Sequence, residues 1–479
     1  MENENDNLFL IDTIMKKLGV VITDGVGYRN YIMSNFINEA TLQYDKIIIY
    51  SGLPKNTYNL DQPSVEIREL EVFKEGIHTW FFRKYKEIAH LQHNKTFYGM
   101  NDLLVKGAPK SFSPKSILSR LIYFSSRFLH SNSIISIIEK LQFVTFANNS
   151  VTKSYLALLK KDKPDYVFFT HQRPTYLAPF LYSVLKLKIP VGTFIFSWDN
   201  LSSKGRMLGT FDTFLVWSDL MKKELLYFYP STKSENVEVV GTPQFEPYSM
   251  SIYSTDKQEF LEKFKLDGSK KIICFSCADS SIGQNDALVI KTIAQAIRDG
   301  KIDVAAQLLV RTSPAEDGKR FEVIKNEFRE IIWNVPKWEL TRENHSENWS
   351  QRIPTIDDFI DLKSILQFVD LNVNMCSTMS LDFMIFDKPV INTVFGNATN
   401  GMYDDQRFLN YTHYKTVIDS GAVTIARDAK ELIDAINIDL INPTSKINHQ
   451  RELVKLQIGK PLEGTSRRIV KVLKKQHDK

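Results

Sequence analysis

The chain has 479 residues, 43% apolar and 24% charged, with a net charge of +5. That length suggests two or three domains, and the composition excludes a disordered chain. The charge is too small to call for nucleic acid as a partner, although it permits contact with anionic lipid or phosphorylated substrates.

The first residues, MENENDNLFLIDTIMKKLG, show no basic stretch followed by an apolar one, so no secretory leader is expected. No run reaches the roughly 20 apolar residues that span a bilayer. Cys274, Cys277 and Cys376 are an odd set without a disulfide pattern, which fits a reducing compartment. Cys274 and Cys277 have CxxC spacing, but IICFSCAD reads as a strand entering a loop, without the helix start or second ligand pair of a redox or zinc site.

In chain order, Leu18–Thr23, Lys46–Tyr50, Tyr166–Thr170, Pro190–Phe196, Thr213–Trp217 and Val237–Val240 are short β-branched or aromatic runs that predict buried strands. Helical spacing lies between them at Tyr31–Ala40 and Tyr176–Leu187. After an aperiodic linker, Phe245–Thr255, a second series of strands follows at Lys271–Phe275, Ala306–Arg311, Leu371–Asn374, Val390–Val394 and Ala422–Ile425, with a helix over Asn285–Asp299. Alternating strands and helices predict α/β halves with mostly parallel sheets, over 1–245 and 256–430. Residues 431–479 predict terminal helices, the last of them basic and amphipathic and placed to cross back to the first half. Residues 76–142 break the alternation with a long helical insertion, rich in aromatic, aliphatic and basic residues. It reads either as core helices of the first half or as a surface that meets a membrane and a lipid-linked acceptor.

The chemistry concentrates in DLNVNMCSTMSLDFMIFDKPVINTVFG, Asp370–Gly396. A strand, a Cys376-Ser377-Thr378 turn and a helix from Met379 leave hydroxyls and unpaired N–H groups around one spot suited to a diphosphate. Asp382, in the helix's first turn, is a candidate partner for ribose hydroxyls, with Ser380 beside it. The same residues also suit plain helix capping.

This pattern resembles the donor-binding region of GT-B glycosyltransferases: a strand, a hydroxyl turn, and an acid seven residues before Pro389. LDFMIFDKPVI also resembles CDP-glycerol glycerophosphotransferases, which share the fold. The resemblance implies two Rossmann-like doubly wound domains facing a cleft. It puts Ser377 and Thr378 at the diphosphate, Asp382 at the ribose, and Gly241-Thr242-Pro243 at the crossing into the cleft. Where the glycerophosphotransferases carry His-Pro, this chain has Val310-Arg311-Thr312-Ser313-Pro314. That disfavours polyol-phosphate transfer and leaves Arg311 as a bidentate diphosphate clamp or a surface ion pair.

In the first half, the loops after the strands hold the remaining candidates. Asp24 is placed to act as a general base or to cap the next helix, and Arg29 follows it on the acceptor side. His171, in THQRP with Arg173, is the second candidate base or a structural histidine. Trp198 could stack on a sugar, with Asp199 and Asn200 on its hydroxyls, or pack in the core. Tyr411-Thr412-His413-Tyr414, late in the second half, could reach the cleft. Asp357-Asp358 and Asp404-Asp405 lack a third ligand, so no metal site and no cofactor are expected. The expected activity is sugar transfer from a nucleotide-activated donor to a saccharide or lipid-linked acceptor in bacterial surface polysaccharide assembly. The expected place is the cytoplasm or the inner face of its membrane. A CDP-polyol phosphotransferase, a sugar-nucleotide epimerase and a non-catalytic binding subunit are the alternatives.

Overall fold

The computed structural model describes residues 15–343, 348–396 and 405–477. The expectation about a leader concerns mainly residues 1–14, which lie outside these. Seven strands form the first sheet: β1 (Lys17–Ile22), β2 (Lys46–Ser51), β3 (Val65–Glu69), β4 (Tyr166–Phe169), β5 (Val191–Phe194), β6 (Thr213–Val216) and β7 (Val237–Val239). Their order is β3-β2-β1-β4-β5-β6-β7, and every pairing is parallel.

The second sheet takes β8 (Lys271–Ser276), β9 (Ala306–Arg311), β10 (Ile332–Asn334), β13 (Leu371–Asn374), β14 (Val390–Thr393) and β15 (Thr424–Ala426). Between β10 and β13 lies an antiparallel hairpin, β11 (Trp338–Leu340) and β12 (Arg352–Pro354). The order β10-β9-β8-β13-β14-β15 repeats the doubly wound pattern of the first sheet. Each sheet reverses direction once, between β1 and β4 and between β8 and β13. The loops leaving those strands open the crevices in which such sheets bind ligands.

The central strands are apolar on both faces because helices cover both; Val20, Val21, Phe168 and Phe169 have no exposed surface. The edge strand β3, VEIRE, is half-exposed and alternates charge with aliphatic side chains, which hid it from a search for apolar runs. The segment expected to be an aperiodic linker is two short 3₁₀ turns, Glu246–Ser249 and Ser251–Tyr253, packed by aromatic rings. Tyr248 sits against Phe245, Phe359 and Phe386, and Tyr253 against Phe359. The final helix, Thr465–His477, returns to the first sheet's side, where Arg467 meets Glu39 and the Tyr44 ring meets His477.

Between β3 and β4 the chain forms five helices: Ile77–His93, Tyr98–Lys106, Pro114–Ser125, Asn132–Val144 and Ser150–Asp162. Ser113 caps the third, with Pro114 in its first turn, and Ser131 caps the fourth. Both pack on Ile77–His93. The third turns Ser119, Ile122 and Ser126 inward, and the fourth turns Ile135 and Gln142. Their opposite stripes, Ile117, Leu121, Phe124 and Phe128, then Ile137, Leu141 and Val144, are exposed. No described helix is long and apolar enough to cross a membrane.

Candidate functional site

The reversal point of the first sheet brings Asp24 and His171 together, although 147 residues separate them. Asp24 follows β1 and is 1% exposed. One carboxylate oxygen accepts the Gly27 N–H at 2.8 Å and caps the helix Gly25–Tyr31. The other accepts Thr23 Oγ1 at 2.5 Å and lies 3.2 Å from His171 Nδ1. Of the two sequence alternatives for Asp24, the structure shows the helix cap; the same carboxylate also faces His171, a separate candidate in the sequence. The His171 ring stacks on Phe196 at 4.0 Å and 17°.

Burial lowers the His171 pKa, Asp24 pulls it back up and Arg173 lowers it again, with a net shift below 6.5. Burial would raise the Asp24 pKa, but the hydrogen bond and charge of His171 and the bonds from Thr23 and Gly27 bring it below 3.8. At neutral pH this is a carboxylate beside a neutral imidazole. With Nδ1–H donating to Asp24, the basic lone pair lies on Nε2.

At the reversal point of the second sheet lies a cavity of about 540 Å³. That volume is within the range of small-molecule sites, roughly 300–1,000 Å³. Its walls come from three places. The second domain supplies the loops after β8 (Ala278, Asp279, Ser281) and β13 (Met375–Thr378), and His413 with Tyr414 after β14. The first domain supplies Ser197, Trp198, Asp199 and Lys204 after β5, and the insertion supplies Asp102, Leu103 and Lys106. Phe196, stacked on His171, immediately precedes this first-domain wall. Cys376 holds φ +42° at the turn, a conformation that non-glycine side chains adopt only where the surroundings enforce it.

Ser377 and Thr378 therefore lie in the cavity wall. Ser377 is held there by Asn374, whose Oδ1 accepts both its N–H and its hydroxyl at 3.1 Å. Thr378 Oγ1 accepts the Trp198 indole N–H at 3.1 Å, a bond between the two domains. Trp198 is 4% exposed and edge-on to His413 and Tyr414, so it closes the wall and does not offer an open face for a sugar. Asp199 lies 3.3 Å from Lys204. Burial works against its charge, but Lys204, His413 and hydrogen bonds from Ser197 and Asn200 hold its pKa far below the usual carboxylate range. Burial drives His413 down to about 4, so that side chain is neutral at pH 7. Asn200 accepts Gln172 Nε2 at 2.9 Å, tying the loops after β4 and β5 together.

Other residues expected at the donor are committed elsewhere. Arg311 is 6% exposed and donates through Nη2 to both Asp358 carboxylate oxygens at 3.1 and 3.0 Å and through Nη1 to Asn334 Oδ1. It is neither a surface pair nor part of the cavity wall. Ser380 is fully buried and joins Asn374, Asn392 and Tyr414 in a polar network under the turn. Gly241, at φ +85°, and Thr242 lie beneath the returning C-terminal segment, where Arg468 donates to the Val240 carbonyl at 2.9 Å. Arg29 bonds Asn30 at 3.1 Å and lies near Asp382 and Tyr248. Arg173 is partly buried beside His171, outside the cavity wall. Asp357 pairs with Lys263 and Lys337, Asp405 accepts Asn285 Nδ2 at 3.0 Å, and Asp404 lies outside the described residues. Among the described residues no group of three or more His, Cys, Asp or Glu could hold a metal ion.

Asp382 is 4% exposed and accepts the Tyr248 hydroxyl from the interdomain segment, so it fastens the hinge and does not edge the cavity. Burial raises its pKa from 3.8 to about 6 despite Tyr248, Arg29 and Arg311. The folded state thus keeps a proton that the unfolded chain loses near 3.8, and this stabilising contribution is lost as pH rises through about 6. Asp382→Asn keeps an acceptor for Tyr248 and removes the buried charge. It is expected to raise stability at pH 7 by about 1–3 kcal/mol, with the gain vanishing towards pH 4. Thermal melting of both forms across that range checks this.

No protein-family model matches the chain, and no curated protein matches it by sequence. Among solved structures it is similar to a putative UDP-N-acetylglucosamine 2-epimerase from Listeria monocytogenes, at 10% identity and a TM-score of 0.55, covering 97% of each chain. It is similar to the UDP-GlcNAc 2-epimerase of Neisseria meningitidis bound to UDP-GlcNAc, at 13% identity and 0.51, over 96% of this chain and 100% of that one. The Methanocaldococcus jannaschii enzyme gives 14% and 0.51, over 95% and 99%. The chain has the two-domain GT-B-type fold, and at these identities the likeness concerns the fold alone.

Proposed function

We propose that the chain is a nucleotide-sugar glycosyltransferase. The cavity at the second reversal point would hold the donor, and the His171–Asp24 dyad would take the proton of an acceptor hydroxyl. The observation that carries this reading is the adjacency of two built sites, a dyad in the first domain and a cavity walled by both domains. A buried carboxylate–imidazole dyad stands behind Phe196, and the next residues in the chain form one wall of the nucleotide-sized cavity. Ser377 and the cations Lys106, Lys204 and Arg407, which line the cavity, would stabilise a leaving diphosphate. Closure around the donor would exclude water, which otherwise competes as acceptor.

A second reading draws on one observation. The same wall holds Asp102, Asp199, Asp279 and His413, an acid-rich set that suits proton removal and return on a sugar carbon. The solved structures similar in fold include an epimerase bound to UDP-GlcNAc. A thermal-shift panel of UDP-, GDP-, CDP- and dTDP-sugars tests the site common to both. A bound donor at 100 times its Kd is expected to add about 2.7 kcal/mol to stability, and Lys204→Ala should reduce the shift. No shift with any nucleotide would overturn both readings. Conversion of a bound nucleotide sugar to its epimer with no acceptor present would replace the transferase reading by the second one.

A further inference from the structure

Among the described residues, the exposed large hydrophobic side chains concentrate on the two outward stripes of the insertion. Of the 25 large hydrophobic side chains that stand exposed among the described residues, 12 fall between Ile77 and Val144. Phe112 is 78% and Phe128 74% exposed, and they belong to a cluster, whereas single exposed hydrophobics need no explanation. On each helix the stripe recurs at i, i+4 and i+7, so the side chains share one side. Charge surrounds them asymmetrically. Lys110, Lys115, Arg120, Arg127 and Lys140 are all exposed. The single acid between residues 107 and 144, Glu139, turns inward to Lys86 and Arg206 at 3.8 and 3.6 Å.

An apolar face with a cationic rim and no outward acid suits a surface that is apolar inside and anionic outside. The helix Tyr98–Lys106 links this face to the cavity. Asp102, Leu103 and Lys106 line the cavity, and the Leu104 carbonyl accepts the Tyr123 hydroxyl of the next helix at 3.1 Å. We infer that helices Pro114–Ser125 and Asn132–Val144 dock on an anionic lipid bilayer, and that the enzyme meets there an acceptor anchored in that bilayer. The docking stands on the surface alone; the acceptor's identity rests on the transferase reading.

The test is flotation of the full chain with phosphatidylcholine vesicles, with and without phosphatidylglycerol. The chain is expected to float with the anionic vesicles, to be released by added salt and to bind the neutral ones far less. Replacing Phe112, Phe124 and Phe128 together by Glu should abolish flotation while leaving the nucleotide thermal shift unchanged. Lys115→Gln, Arg120→Gln and Arg127→Gln should each lower partitioning by about fivefold. A wild-type chain that stays unbound with anionic vesicles overturns the docking. So does a dimer that the Phe replacements dissociate, because a second copy would then cover the stripes. Loss of the nucleotide shift with flotation intact would overturn the proposed function and leave the docking in place.

Discussion

His171→Ala is expected to lower kcat by about 10²–10⁴, the usual contribution of a positioned general base, while the nucleotide thermal shift stays as in the parent chain. The reason is geometric. His171 bonds Asp24 and stacks on Phe196 in the first domain, and it is not part of the cavity wall. Its removal therefore touches proton transfer and leaves donor contacts intact. Asp24→Asn makes the sharper variant. Asn also caps helices well, so the turn at Gly25–Tyr31 keeps its fold. An amide, however, donates to Nδ1, which moves the imidazole proton to Nε2 and removes the basic lone pair. Turnover should fall nearly as far as in His171→Ala, and the double variant should fall no further, because the two residues act as one unit. Burial holds the His171 pKa below 6.5, so the acid limb of kcat/KM should lie below that pH. Removing the Asp24 charge takes away an upward pull and should move the residual limb lower still. Turnover left intact in His171→Ala would take the dyad out of the mechanism.

What the sequence disclosed follows the range of the interactions. The apolar runs at Val20–Ile22 or Tyr166–Phe169 are strands because helices bury both their faces, and a run of β-branched and aromatic residues records that locally. The strands β3, β10, β11 and β12 are short or carry outward charges, so their pairing depends on neighbours that the local pattern does not mark. The hydroxyl turn at Ser377-Thr378 was legible because strand, turn and helix are contiguous. The fates of Arg311 and Asp382 were not, since Asp358 and Tyr248 take them up from 47 and 134 residues away. Lys106 and Asp102 were missed because they reach the cavity from an insertion, whereas Tyr411, His413 and Tyr414, read from the sequence as a segment that could reach the cleft, do line it. Asp24 and His171 could have been paired in advance. Once the sheet order is taken as doubly wound, the loops after β1 and β4 must flank one crevice.

Gly25→Ala is the substitution expected to act most strongly on how the two domains meet. Gly25 opens the helix after β1, and the Arg352 backbone of β12 in the second domain lies directly on it. A methyl group at Gly25 would stand 1.5 Å from the Arg352 carbonyl oxygen and 2.6 Å from its carbon. The obstacle is backbone, so no rotamer change can relieve it, and replacing the Arg352 side chain cannot rescue it. Two further contacts make the same junction: Gln351 Nε2 to the Gly52 carbonyl at 3.4 Å and Arg342 to Glu69 at 2.6 Å. The helix itself tolerates alanine, which is about 1 kcal/mol better than glycine in a helical position. Each domain should therefore keep its fold while the hairpin is pushed away from the loop that carries Asp24. A displacement of even about 1 Å at reacting groups costs roughly 10²-fold in rate, so turnover should fall by at least that much, with little loss of melting temperature. Small-angle scattering should report a larger radius of gyration than that of the parent chain. Full turnover with an unchanged radius would mean that the contact at Arg352 does not set the closed position, and that the dyad and the cavity are brought together by the Trp198–Thr378 bond and the aromatic hinge around Tyr248 instead.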